Sequence, residues 1–200
     1  MPRLFVALEV KPEAGFQMSL LRGGLSGARW LDRENYHLTL RFLGDMESRE
    51  ADAVASQLDG VRQSSFEMGF RGLGVFGGAK PRSLFALPTI GDDLYALQTS
   101  VERRCKRLGL AMDKRKFSPH VTLARLKGAT PQAVAHYINM RGGFFIPPSQ
   151  VTSFVLMSSK ASVGGGPYIV EERYHLQSEA AYPPVSSMNG LNTSREFSQS

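Results

Sequence analysis

The sequence predicts an α+β fold made of two halves of similar plan, and three observations carry that expectation. Runs of β-forming apolar residues alternate with segments of helical periodicity. Each half holds one strand-like segment of the form His-apolar-Thr-apolar, His37-Leu38-Thr39-Leu40 and His120-Val121-Thr122-Leu123. In each half that segment is followed by a helical pattern and then by further strands, although the repeat is weak outside the tetrapeptides. At 200 residues and 42% hydrophobic, the chain suits one compact domain or two closely packed lobes.

Leu4 to Val10, LFVALEV, is a continuous apolar run and reads as a buried strand, with Pro12 placed for the first turn of a helix reaching about Gly23. Trp30 lies in a short extended piece, and Tyr36 to Gly44 reads as a strand. Ser48 is the expected N-cap of a second helix. Phe66 to Gly78 mixes aromatic residues with glycines, as in a bent strand where glycine marks a bulge or a close backbone approach, and SLFALP follows as another strand. Between Gly91 and Leu108, Leu94, Leu97, Val101, Cys105 and Leu108 recur at helical steps, with acidic residues early and basic residues late. A strand from about His120, a helix over TPQAVAHYINM, a strand over SQVTSFVLMSS, and a glycine turn in GGGPYIVEERYHLQ leading to a last strand complete the reading. Residues 1–182 are expected to form the single domain, and the Pro-, Ser- and Asn-rich 183–200 a disordered tail.

With 24 basic and 18 acidic residues the chain carries a formal charge of +6, which favours polyanionic partners without identifying one. The single cysteine, Cys105, excludes an intramolecular disulfide and a thiolate metal cluster and fits a helix-packing role. No apolar stretch has the length of a membrane span and the N-terminus lacks the pattern of a signal peptide, so a cytoplasmic protein with no membrane partner is expected, and a monomer. The four histidines do not fall at metal-ligand spacing, and the glycine clusters lack the Lys-Ser/Thr ending of a nucleotide phosphate loop, so no metal or cofactor is expected.

The paired tetrapeptides carry the chemistry. In a strand, residues two apart face the same side, so each histidine and its threonine point together while the apolar residues enter the core. Two such strands side by side would gather two imidazoles and two hydroxyls around a space suited to a phosphate. Imidazole holds or releases a proton near neutrality, so His37 and His120 can divide the work of general acid and base, while Thr39 and Thr122 donate hydrogen bonds to phosphate oxygens. By the same parity Arg41, four residues beyond His37, shares its face and is nominated as a cationic contact. Tyr36, Phe76 and Phe117 are candidates for stacking on a terminal base, ranked below a role as core aromatics, and His136 and His175, which lack the partner threonine, are read as structural or exposed.

RLFVALEV, ENYHLTLRFLGD, GLGVFGG with PRSLFAL, and FSPHVTLARL resemble the two-histidine phosphoesterases, specifically the RNA 2′,3′-cyclic phosphodiesterases once described as 2′-5′ RNA ligases. The likeness runs from about residue 2 to 176. It implies a bilobal α+β fold with two pseudo-symmetric antiparallel-sheet lobes, outer helices and a central basic cleft, acting without metal on RNA ends bearing a cyclic phosphate to leave a 2′-phosphomonoester, with 2′-5′ ligation as a minor activity. It places His37 and His120 as acid and base, Thr39 and Thr122 as phosphate donors, and Arg125 as a phosphate or substrate contact. Arg125, five residues from His120, can reach the cleft only if its strand ends or bulges nearby. The sibling readings are hydrolysis of 2′-5′-linked oligonucleotides or of a small cyclic phosphate; a module that binds RNA ends without turnover is the alternative of another class.

Overall fold

The computed structural model describes residues 3–89, 91–111, 116–159 and 167–178. In chain order the elements are β1 (Arg3–Glu9), α1 (Pro12–Ser19), β2 (Ala28–Trp30), a 3₁₀ turn (Arg33–Asn35), β3 (His37–Asp45), α2 (Ser48–Asp59), β4 (Phe66–Phe76), β5 (Ser83–Pro88), α3 (Asp92–Arg107), β6 (Val121–Leu126), α4 (Pro131–Asn139), β7 (Phe145–Val151), β8 (Ser153–Ser159) and β9 (Tyr168–His175). The fold is α+β, as the alternation of periods in the sequence implies. Among the described residues no helix is long and apolar enough to cross a membrane.

The strands follow one another in the order β7-β4-β5-β6-β3-β1-β8-β9, with β2 lying against β6. All of the named pairs are antiparallel. The path divides into two lobes, β3-β1-β8-β9 and β7-β4-β5-β6, which meet between β3 and β6 at the single pair Leu38–Val121. Helix α3 packs on β3 and α2 on β9, while α4 packs on β4, so helices cover one side of each lobe. The main apolar core lies beneath them and includes Leu4, Val6, Leu8, Leu38, Leu97, Val101, Leu123 and Tyr137. β1 is buried from Leu4 to Leu8 because a second, smaller cluster of Phe5, Ala7, Val155 and Met157 fills its other face.

Several boundaries differ from the sequence reading for local reasons. Helix α1 stops at Ser19 because Leu21 and Arg22 turn their N–H groups onto the carbonyls of Met18 and Ser19, tightening the chain before Gly23 and Gly24 adopt positive φ. The N-cap of α2 is Glu47 rather than Ser48, with Glu47 and Glu50 forming a reciprocal capping box. The single strand expected over 149–159 is two strands in different lobes, separated at Thr152. The first of them, β7, contains Pro147 and Pro148; among the described residues it is an edge strand paired with β4 alone, where missing N–H groups are tolerated. In β4 the expected bend is present as a register break between Phe70 and Leu73, where Gly72 takes φ 80°. The glycine turn expected at 164–166 and the tail expected at 183–200 lie outside the described residues.

Candidate active site

The antiparallel pairing of Leu38 with Val121 fixes the relation of the two motifs. Both apolar residues are fully buried, and continuing the register sets His37 level with Thr122 and Thr39 level with His120. The point between Leu38 and Val121 is therefore a local pseudo-two-fold. Both His-Thr pairs, half-buried, face the side of the sheet opposite the helices.

Each motif strand then carries the same irregularity. In β3 the register against β1 slips between Thr39, opposite Ala7, and Arg41, opposite Val6, leaving Leu40 as the extra residue. In β6 the register against β5 slips between Thr122, opposite Phe85, and Ala124, opposite Leu84, leaving Leu123 as the extra residue. A bulge inverts the alternation beyond it. Leu123 and Ala124 are both buried, and Arg125 emerges exposed on the side of His120 and Thr122, close enough for its charge to act on both histidines. The free carbonyl of Leu123 accepts the N–H of Leu31, so the bulge is held from the neighbouring segment.

The same inversion corrects the expectation for Arg41. Its side chain points away from His37, is buried, and pairs with Glu102 of α3 while donating to the Ala111 carbonyl at 2.7 Å. Strict two-residue parity failed there because Leu40 is the bulge residue. The residue that comes out on the side of His37 is Phe42, 51% exposed, opposite Phe5 in register and with ring centroids 6.1 Å apart. Phe42 and Arg125 thus occupy equivalent positions, five residues beyond each histidine. Laying HLTLRF over HVTLAR would have revealed the correspondence in the sequence.

The imidazoles are anchored alike. His37 Nδ1 lies 2.9 Å from the Asn35 carbonyl and His120 Nδ1 lies 2.7 Å from the Ser118 carbonyl, each acceptor two residues upstream. A carbonyl only accepts, so each Nδ1 carries the hydrogen and Nε2 is the nitrogen left with a lone pair able to take a proton. Aromatic rings flank both. His37 lies 4.9 Å from Phe5 and 4.7 Å from Tyr168, the latter edge-on; His120 lies 4.8 Å from Phe76, also edge-on, and 5.2 Å from Phe85. Phe85 can lie there because Gly74 faces it: an added Cβ at residue 74 would fall within the Phe85 ring. Burial lowers the pKa of His37 to about 4, with the nearby His120 and Arg125 adding to the effect and the Asn35 carbonyl opposing it. His120 is lowered as well, first by burial and then by Arg125.

The remaining nominations fall elsewhere. Tyr36 is core, Phe117 packs edge-on against Tyr95, His136 lies on α4 and His175 ends β9 in solvent. Cys105 is buried on α3, with its thiol pKa raised by burial. Among the described residues no three His, Cys, Asp or Glu side chains gather where a metal could be held.

The profile of the family described as LigT like Phosphoesterase matches the chain twice, over residues 8–86 and 84–168. The chain is 37% identical over 101 residues to the RNA 2′,3′-cyclic phosphodiesterase of Aeropyrum pernix, covering 50% of this chain and 57% of that protein. It is 31% identical over 134 residues to the one of Archaeoglobus fulgidus, covering 65% and 76%, and 29% identical over 153 residues to the one of Aquifex aeolicus, covering 74% and 81%. The match to the Geobacillus stearothermophilus protein of that name spans 41% of its length, so the chain covers only about half of some of these relatives. Among solved structures, Escherichia coli LigT complexed with 3′-AMP superposes with a TM-score of 0.70 at 25% identity, covering 88% of this chain and 99% of that one. A Thermus thermophilus protein shares the fold with a TM-score of 0.72 at 23% identity, covering 89% of this chain and all of that one.

Proposed function

The chain belongs to the LigT-like phosphoesterases, and from that premise we propose that it hydrolyses the 2′,3′-cyclic phosphate at an RNA end to a 2′-phosphomonoester without a metal. The observation that carries the proposal is the pair of His-Thr strands meeting across Leu38–Val121, each imidazole tied by Nδ1 to a carbonyl. In this reading a water oxygen attacks phosphorus and the P–O3′ bond breaks. One histidine takes the water's proton on Nε2 and the other delivers a proton from Nε2 to the departing O3′. Thr39, Thr122 and Arg125 hold the non-bridging oxygens as charge builds on them, Arg125 with a guanidinium suited to two oxygens at once.

The depressed pKa values fit one half of this scheme directly, since a neutral imidazole is ready to accept a proton. The acid must be protonated, and the phosphate supplies the reason: its negative charge between the rings favours an imidazolium that burial and Arg125 disfavour in the free protein. Phe42, facing the same cleft from the other strand, is positioned to stack on the terminal base. Of the sibling readings, the +6 charge favours an RNA over a small cyclic phosphate, because more phosphates then lie against the basic surface.

The test is turnover of an oligoribonucleotide ending in a 2′,3′-cyclic phosphate, in EDTA, with the position of the product phosphate assigned. Wild type is expected to give the 2′-phosphate, and His37→Ala and His120→Ala, each folded, to lose about a thousandfold or more. A wild type that binds the RNA without opening the ring, leaves a 3′-phosphate, or stops in EDTA overturns the proposal.

A further inference from the structure

We propose that Asn35 is a positioning residue for His37, its backbone carbonyl fixing the imidazole from one side while its side-chain oxygen secures Tyr168 against the ring from another. The proposal rests on the reading of His37 as a proton-transfer group. Asn35 closes the 3₁₀ turn before β3, and that turn needs no particular side chain: Asn35 N–H donates to the Asp32 carbonyl at 2.9 Å and Tyr36 N–H to the Arg33 carbonyl at 3.1 Å. The side chain is thus free for a long-range contact, and its Oδ1 accepts the backbone N–H of Tyr168, 133 positions away, at 3.3 Å. Tyr168 is the first residue of β9, so the bond pins the start of that strand.

The consequence falls on one histidine. Tyr168 stands edge-on to His37 at 4.7 Å and to Phe5 at 5.3 Å, and Phe5 lies 4.9 Å from His37, so three rings enclose one another. His37 is therefore held by Asn35 at Nδ1 and by Tyr168 across its face, with both holds meeting in a single residue. An imidazole fixed in this way keeps one tautomer and one direction for Nε2. The charged groups around it are His120 and Arg125 from β6, Glu9 opposite on β1, and Arg173 of β9, which pairs with Glu9. None of them contacts the Asn35 side chain among the described hydrogen bonds, so a change in that side chain reaches His37 through Tyr168.

Asn35→Ala removes the Oδ1 acceptor of Tyr168 and keeps the turn and the backbone carbonyl at His37 Nδ1. It is expected to lower kcat on the cyclic-phosphate RNA on the order of ten- to a hundredfold with KM little changed, as for a misdirected catalytic group. In an NMR titration the pKa of His37 should rise from about 4 toward 6.5 as the Tyr168 ring lifts, while His120 keeps its own value. Asn35→Asp retains an oxygen at the same place and should recover most of the lost kcat. Tyr168→Leu should act in the same direction as Asn35→Ala, and the double variant should be no worse than the weaker single one, because both break one linkage; Tyr168→Leu also carries the test if Asn35→Ala does not fold. Wild-type kcat and an unmoved His37 titration in folded Asn35→Ala would overturn the proposal, as would an equal shift of both histidines. The titration needs no substrate, so an inactive wild type would sink the functional reading and leave this result standing.

Discussion

The two histidine motifs share their backbone plan and differ in what that plan delivers. Both tie Nδ1 to a carbonyl two residues upstream, both place threonine beside the partner's histidine, and both bulge at the third residue after histidine. Beyond the bulge, β3 sends a cation into the core and an aromatic ring to the cleft, whereas β6 sends alanine into the core and a cation to the cleft. The shared part suits a phosphate, whose oxygens are alike on either side. Under the proposed function the differing part divides two tasks, a ring for the terminal base from β3 and a cation for the phosphate charge from β6. The family model matches the chain twice, in keeping with the matched His-Thr pairs, and the residues at two equivalent positions make the lobes differ.

The largest effect that can sharpen this comparison belongs to Arg125. Arg125→Ala is expected to lower kcat/KM about a hundredfold, on the scale of a lost charge-assisted contact to a transition-state oxyanion. Phe42→Ala, its counterpart, should cost roughly tenfold and fall mainly on KM, the scale of one base stacked on a ring. Steady-state kinetics on the cyclic-phosphate RNA separates the two, and equal losses in both variants would break the proposed division between phosphate and base.

A second contrast concerns acid. The pKa of His37 is about 4 in the folded protein against an ordinary 6.5, so between those values the unfolded chain binds the extra proton. Stability from this source is complete above pH 6.5 and is lost as the pH falls through about 4, amounting to about 3 kcal/mol. Urea melts across that range should show His37→Gln flattening the acid limb more than His120→Gln does; an unchanged limb in His37→Gln would contradict the burial of that ring.

The smallest effect on turnover is expected at Arg41, despite its sequence position. Arg41→Ala should leave kcat near wild type while lowering stability by about 3 kcal/mol or more, because Glu102 is left as a buried charge without its partner. Thermal midpoints and kcat measured on the same preparations check this, and a large loss of kcat without a loss of stability would return Arg41 to the cleft.

The alternation of helix and strand periods, the burial of LFVALEV and the two His-Thr strands were legible because each is a local pattern. The bulges at Leu40 and Leu123 were not, since a bulge is a relation between two strands and changes no residue type. That one omission misplaced Arg41 and hid Phe42, and it made Arg125 a residue that only the resemblance could nominate. The prolines of β7 concealed an edge strand for a related reason: tolerance of a missing N–H depends on having no neighbour on that side, which no local pattern records. Asn35 and Tyr168 were likewise invisible, being joined only in space.

β1 pairs with β3 on one side and with β8 on the other, where Arg3 faces Ser159. During synthesis the first apolar strand therefore leaves the ribosome long before its second neighbour exists, and at some 5–20 residues per second it waits on the order of ten seconds with one edge open. The two halves cannot mature one after the other, as separate domains do, because the lobe of β1 and β3 takes β8 and β9 from beyond the last strand of the other lobe. β1 is thus among the last strands to be enclosed, and its open edge is most exposed to pairing with another chain over the stretch between the synthesis of β3 and of β8.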